Sequence, residues 1–408
     1  MSTRPAQDSS GASAVPARLA SRQAAIATAR RLAEAIRTRR AKADQDRQVP
    51  RETIDELIAS GLFGIVTPRE YGGSDLGFAT LFDVVVELSS ACPSTGWVYG
   101  VIAGHSWLVN LFPLKAQGEV LGDPTALTAT LFRLAGTVTR EPGGYRLVGG
   151  EGRFASAIDF ASWIVVGNAI QHPDGRREPC FFIIPRNIVT IIDDWHTVGM
   201  RGTGSKSLRV ADTFIPEHRA VLLSDMLNGT SPGAMAHSRG LYRLPFAVVA
   251  PFSIVGAPIG SALGALGIFA RDATARLRDA DDVALADAGF ILSRLAEASA
   301  DVDAAIALVR ASAERIDTVA DPAELSALER SSIPRNWAYA AQTAREAVNK
   351  LFAVAGGSQI YDHSELQQFW RDANAGAQHF AFGWENAMKG HGRALVGKAP
   401  QPVQFKRG

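Results

Sequence analysis

Four places in the 408-residue chain carry residue types that can do chemistry. The first is GEGRFASAIDFASW, 150–163, where Ser156 follows Phe154 and Ala155, so a hydroxyl emerges beside a flat aromatic and a small residue. No G-x-S-x-G surrounds it, so it is not a nucleophile elbow; taken alone, the pattern is also that of a turn serine bonding its own backbone. The second is DDWHTVGMRGTGSKSLRVADTFIPEHRAV, 193–221. Its Gly199, Gly202 and Gly204 allow close backbone approach, and Arg201 has the charge to pair with a phosphate. Neither G-x-G-x-x-G nor a P-loop is present, and a connector between strands fits the same residues. The third is His105 in GVIAGHSWLVN, on an apolar helix, where a lone histidine is commonly a satisfied core residue. The fourth is WRDANAGAQHF, 370–380: a run of small residues from Ala373 to Ala377 lies between Trp370 and Phe380, just before His379. That leaves room for a bulky group that an imidazole would face.

Metal chemistry has little to build on. His379 and His391 form no HxxxH or HExxH pair, and the histidines at 172, 196, 218, 237 and 363 show no ligand spacing. Cys92 and Cys180 are far apart and in no CxxC pair, which fits a reducing cytoplasm. With 42 basic and 41 acidic residues the formal net charge is +1, so the basic excess of a nucleic-acid binder is missing. A 47% hydrophobic and 20% charged composition is that of a soluble globular protein with a large core. The N-terminal segment lacks an apolar run of signal-peptide length, and residues 1–18 read as a mobile arm.

The elements that must position these residues follow from periodicity. Residues 19–124 read as a helical domain: Ile54, Leu57, Ile58 and Leu62 fall at helical spacing, and TPREYGGSDLG marks a loop. Residues 125–232 change texture to short apolar runs (SWIVVGNAI, CFFIIPR, SLRVADTFIP) separated by Gly, Pro, Asn and Asp, the pattern of a β unit. HPDGRREP at 172–179 reads as a hairpin loop. From 233 to 408 the helical pattern returns, with Leu295, Ala298, Val302, Ala305 and Val309 in a 3–4 stripe and a helix end at Gly356 and Gly357. The uncharged stretch Leu244 to Ala270 is long enough to cross a bilayer, but it is rich in Gly, Ala, Ser and Pro, and reads as a buried helix with small faces. A β unit between two helical blocks creates crevices where a cofactor can sit.

Together, WHTVGMRGTGSKSLRVADTFIP, GLFGIVTPREYGGSDLG and AGGSQIYDHSELQQFWRDANAGAQH resemble the acyl-CoA dehydrogenase superfamily over about residues 25–395. The resemblance implies an α+β fold with an N-terminal helical domain, a middle β-barrel, a C-terminal four-helix bundle, and a homotetramer with flavin between the β domain and the bundles. Within the superfamily the chain looks like the monooxygenase branch, the oxygenase components of two-component systems. RFAS stands where dehydrogenases have W-x-T or W-x-S, which would put Ser156 beside flavin N5. His379 stands where this branch places a histidine near the flavin, and His105 in GHSW matches a position that holds aromatic substrate. The dehydrogenase YEGT segment is absent, replaced by AGAQHFAF.

This resemblance implies that reduced flavin arrives from a separate NAD(P)H:flavin reductase; both FMN and FAD fit the motifs, and FMN is the expectation adopted. It reacts with O2 to a C4a-(hydro)peroxide and oxygenates a small aromatic or heteroaromatic molecule. Ser156 and His379 are then the catalytic candidates beside the ring. His105 holds the substrate, with Thr128 and Thr130 as weaker candidates for the same pocket. Phe154, Trp195, Thr197 and Arg201 are expected flavin neighbours, and Gly356 and Gly357 are expected to approach from an adjoining subunit. The rival readings are an acyl-CoA dehydrogenase-type desaturase, an N- or S-oxygenase of the same fold, and a helical scaffold that has lost its cofactor.

Overall fold

The computed structural model describes residues 16–278 and 288–399; the mobile arm expected over 1–18 lies outside them except for its last three residues, as does the end of the C-terminal tail. The N-terminal helices are α1 (Arg22–Asp46), α2 (Arg51–Ala59), α3 (Phe78–Ala91), α4 (Pro93–Val109) and α5 (Leu114–Leu121). Helix α1 starts where Ser21 Oγ accepts the amide of Ala24, and stops at Arg47 in the left-handed region. Pro93, at the first turn of α4, separates it from α3, since its missing N–H costs a new helix nothing there.

Ten strands follow: β1 (Thr128–Leu131), β2 (Thr137–Glu141), β3 (Gly144–Val148), β4 (Glu151–Ala155), β5 (Trp163–Gln171), β6 (Arg177–Pro185), β7 (Val189–Ile192), β8 (Lys206–Val210), β9 (Thr213–Pro216) and β10 (Ala220–Leu222), counted among the described residues. They form a seven-stranded sheet, β10-β6-β5-β2-β3-β9 with β1 beside β5, and a three-stranded sheet, β4-β8-β7. Neither sheet closes on itself, so the middle unit is two open sheets where the resemblance implied a barrel. The β5–β6 hairpin turns at 172–176 through Gly175 at φ 83°, as the sequence predicts.

Strands β5 and β6 read as unbroken apolar runs because both faces are covered. Ile164, Val166, Phe182 and Ile184 face a core internal to the β unit, while Val165, Phe181 and Ile183 join the core of the helices. The two helical blocks share that second core.

The C-terminal helices are α6 (Gly256–Leu277), α7 (Gly289–Asp317), α8 (Ala327–Val354), α9 (Glu365–Gly376) and α10 (Trp384–Leu395). In α7, Ala298, Val302, Ala305 and Val309 are buried along the expected stripe. Helix α6 carries only the second part of the uncharged stretch, from Gly256 on. The single helix expected from Leu244 is broken into a short helix at Phe246–Val249 and a 3-10 turn at Ala250–Ser253, which contains Pro251, and most of the apolar length is buried. Gly256, Gly260 and Gly264 let it lie against α3: a Cβ at Gly260 would meet Ser89 Cβ and Val86 O at 2.5 Å. Between α3 and α7, Asp317 accepts the amides of Phe78 and Ala79 at 2.6 and 2.9 Å, capping α3 from another helix.

Candidate active site

Ser156 leaves the end of β4, where pairing with β8 becomes irregular between Gly152 and Ala155. Phe154 at φ 71° and Ala157 at φ 62° flank it, two L-residues in the left-handed region, a strain of about 1 kcal/mol or more each. The consequence is a turn that aims the Ser156 side chain at α4. There the indole N–H of Trp97 donates to Ser156 Oγ at 3.2 Å. Ser156 Oγ lies 2.6 Å from Ser205 Oγ, which lies 2.7 Å from Thr203 Oγ1, which donates to the carbonyl of Met200 at 2.8 Å. Trp195 Nε1 donates to the same carbonyl at 3.1 Å, and its ring meets Phe154 edge-on at 5.9 Å. Phe154 is 70% exposed, so a flat apolar ring stands uncovered beside the hydroxyl.

His379 follows α9 and opens the turn Phe380–Phe382, where its Nδ1 accepts the amide of Ala381 at 3.3 Å. The neutral ring therefore carries its proton on Nε2. Burial holds its pKa down at about 4, so it is an uncharged donor at neutral pH. Its ring packs edge-on against Trp97 at 5.4 Å, so one indole touches both Ser156 and His379.

His105 sits on α4 eight residues beyond Trp97, about 12 Å along the axis. Its Nδ1 faces the carbonyl of Thr128 at 2.8 Å, which places the proton on Nδ1 and leaves Nε2 as a bare acceptor. Burial lowers its pKa to about 4, outweighing the bond to Thr128. Thr128 and Thr130 share one face of β1, and Thr130 Oγ1 is buried with no partner among the described residues. Phe132, Phe181, Phe246 and Phe380 form an aromatic wall with ring spacings of 5.6 to 6.1 Å, reaching His379 through Phe380 at 4.4 Å. The two histidines thus offer opposite chemistry, one an N–H donor and the other a lone pair. Among the described residues, no three His, Cys, Asp or Glu side chains gather to hold a metal.

The glycine-rich loop connects β7 to β8, as one of its two sequence readings has it. Its glycines do allow close approach, but what approaches is protein: a Cβ on Gly199 would meet Arg371 O at 2.3 Å, and one on Gly202 would meet Ser94 Cβ at 2.9 Å. Arg201 is half-buried, with Nε buried and without a partner among the described residues. Thr197 Oγ1 donates to the carbonyl of Gly199. Gly356 and Gly357 are exposed before the N-terminus of α9, whereas His379 follows its C-terminus, so a helix about 18 Å long separates them.

Sequence reasoning did not single out Trp97, Thr203, Ser205 or Asp372. Thr203 closes the 3-10 turn Arg201–Thr203 and Ser205 follows left-handed Gly204 ahead of β8, so no strand alternation in the sequence signals that their hydroxyls meet. Asp372, on α9, accepts the amide of Met200 through Oδ1, while its Oδ2 is buried without a partner. Burial pushes its carboxyl up to about 7, with the nearby Asp44 adding to the rise.

The acyl-CoA dehydrogenase N-terminal domain family matches residues 20–119, and the acyl-CoA dehydrogenase C-terminal domain family matches residues 252–384. The FADH(2)-dependent resorcinol hydroxylase oxygenase component of Rhizobium sp. (strain MTP-10005) is 33% identical over 383 residues, covering 91% of this chain and 93% of that protein. The crystal structure of the HsaA monooxygenase from M. tuberculosis superposes with a TM-score of 0.88 at 31% identity, covering 94% of this chain and 99% of that one. XiaF from Streptomyces sp., solved with FADH2 and glycerol, gives a TM-score of 0.84 at 26% identity, covering 94% and 98%. With its two helical blocks matched and full-length relatives at this identity, the chain belongs to the acyl-CoA dehydrogenase superfamily and, within it, to the flavin-dependent monooxygenases.

Proposed function

We propose that this protein is the oxygenase component of a two-component flavin-dependent monooxygenase. It takes reduced FMN or FAD from a separate NAD(P)H:flavin reductase and uses O2 to oxygenate a small phenolic or related aromatic molecule. The observation that carries the reading is the convergence on Trp97: Ser156 at the end of β4 and His379 after α9 meet at one indole. The residues present fit a flavin. A hydroxyl, an imidazole N–H and the exposed ring of Phe154 line one site, and Arg201 Nε is buried without a partner among the described residues.

When bound, reduced flavin supplies the electrons that activate O2, one oxygen atom going to the substrate and the other to water. Ser156 would help hold reduced flavin by accepting a hydrogen bond from N5–H. His379 would donate a hydrogen bond from Nε2 to the bound flavin and, being neutral, would add no charge there. His105 Nε2 accepts the proton of a phenolic hydroxyl, which makes the aromatic ring more nucleophilic. Buried Phe181 and Phe246, with the partly exposed Phe132 and Phe380, would give the site an apolar wall that offers water no hydrogen-bond partner. The phenol class agrees with the Rhizobium relative, which by its name acts on resorcinol.

A homotetramer in the cytoplasm completes the reading. Phe290, Tyr339, Trp384 and Val396 leave large apolar side chains exposed on and beside α7, α8 and α10, which supports burial between copies. Gly356 and Gly357 would then reach the flavin of an adjoining subunit. Light scattering on the eluting protein gives the mass of a tetramer; a monomer would overturn this part.

The deciding experiment is anaerobic loading with reduced FMN or FAD, followed by oxygen and a panel of phenols and other aromatics. A product heavier by one oxygen atom is expected. Bleaching of an oxidised-flavin form by an acyl-CoA, with no oxygenated product, would replace this reading with a desaturase.

A further inference from the structure

Thr203 and Ser205 are 2% and 5% exposed, and their hydroxyls lie in an unbroken line behind Ser156. The direction of every proton in that line is determined by its end. The carbonyl of Met200 can only accept, so the Thr203 hydroxyl spends its proton there. Thr203 Oγ1 can then only accept from Ser205, and Ser205 Oγ, its own proton used, can only accept from Ser156. At the other end, Trp97 Nε1 can only donate, which agrees with a Ser156 oxygen turned outward as an acceptor. All four contacts are satisfied together in this one order. Turning the Ser156 proton toward the site would leave either the 2.6 Å contact with Ser205 or the 2.7 Å contact between Ser205 and Thr203 without a proton.

We infer that Thr203 and Ser205 are positioning residues that set Ser156 as a hydrogen-bond acceptor, so that the site selects reduced flavin over oxidised flavin. This rests on the reading of Ser156 as the neighbour of flavin N5. Reduced flavin carries a proton on N5 and can donate to Ser156. Oxidised flavin has a lone pair there, which would face the lone pair of Ser156. The chain of hydroxyls thereby reads the redox state of the cofactor through the polarity of one hydrogen bond, and the protein discharges the oxidised product of each turnover for the reductase to recharge.

The test is binding of four probes to the full-length protein: oxidised FMN and FAD by fluorescence titration, and the same flavins reduced with dithionite under nitrogen. The readout is the ratio of Kd for the oxidised form to Kd for the reduced form. Ser205→Ala frees the Ser156 proton, and Thr203→Val, of nearly the same shape, lets the Ser205 proton swing back to Ser156. Both are expected to lower the ratio by about tenfold, the size of one hydrogen bond of about 1.4 kcal/mol. Ser205→Thr and Thr203→Ser keep the hydroxyls and are expected to restore it. A purely structural role would weaken both forms alike and leave the ratio unchanged. If Ser156→Ala alters the ratio while Ser205→Ala and Thr203→Val do not, the inference falls and the reading of Ser156 stands. If Ser156→Ala also leaves it unchanged, both fall. Either hydroxyl variant decides the matter, so failure of one to fold leaves the other.

Discussion

The backbone amide of Met200 donates to Oδ1 of Asp372 at 2.5 Å, tying the loop that leads into β8 to α9, the helix that His379 follows. Met200 is also the residue whose carbonyl ends the line of hydroxyls behind Ser156, so one residue joins the two halves of the site. Arg371 adds a second tie, donating to Val198 O and pairing with Asp44 at 3.1 Å.

Asp372 should make the fold sensitive to rising pH. Its folded pKa of about 7 lies above the value near 3.9 of an unfolded aspartate. The folded state therefore binds more protons in between, and this residue's contribution is full below pH 4 and lost as pH rises through 7. Asp372→Asn keeps an acceptor for Met200 but removes the titration. Urea unfolding at pH 5 and pH 8 should show the variant gaining on the wild type by about 2 kcal/mol or more at the higher pH. An equal difference at both would refute the assignment.

The two site histidines act in the opposite direction. Burial lowers both to about 4, so each stays neutral in the folded protein while an unfolded histidine charges near 6.5. Stability is full above pH 6.5 and falls as pH drops through 4. His379→Gln should remove up to about one proton from the slope of stability against pH in that window, worth roughly 1–3 kcal/mol at its acid end after allowing for partial exposure. Unfolding curves from pH 7 to 4.5 supply the slope; an unchanged slope would contradict the burial of His379.

His105→Ala removes the lone pair that faces the proposed phenol pocket without touching Ser156 or His379. For a phenolic substrate, kcat/KM should fall about tenfold or more, since a buried polar partner is lost. Reduced-flavin binding should stay unchanged. Unaltered substrate affinity and product yield would take His105 out of the substrate site.

Close packing of α6 on α3 separates two glycines one helix apart in role. Gly260→Ala would force a Cβ to within 2.5 Å of Ser89 and Val86, and should destabilise by about 1–3 kcal/mol. Gly267→Ala meets nothing within 4 Å and should stabilise by about 0.5–1 kcal/mol through helix propensity. Thermal unfolding of the pair checks the sign of each.

Much of the architecture was legible locally. The stripe Ala298, Val302, Ala305 and Val309, the β5–β6 turn at Gly175, and the small-faced helix α6 all follow from periodicity or turn chemistry, which depend on residues a few positions apart. Ser156, His379 and His105 stood out by residue type and surroundings, but only the family resemblance gave them roles, because a lone serine or histidine has many structural uses. The tertiary structure alone decided their partners. Trp97 and Ser156 are 59 residues apart, Ser156 and Ser205 49, and Met200 and Asp372 172. It also decided that the glycines of the 199–204 loop pack against helices and that the two sheets stay open. The physical reason is range: helix and turn signals are written within one or two turns of chain, whereas the direction of a hydrogen bond depends on which distant donor or acceptor the fold brings to it.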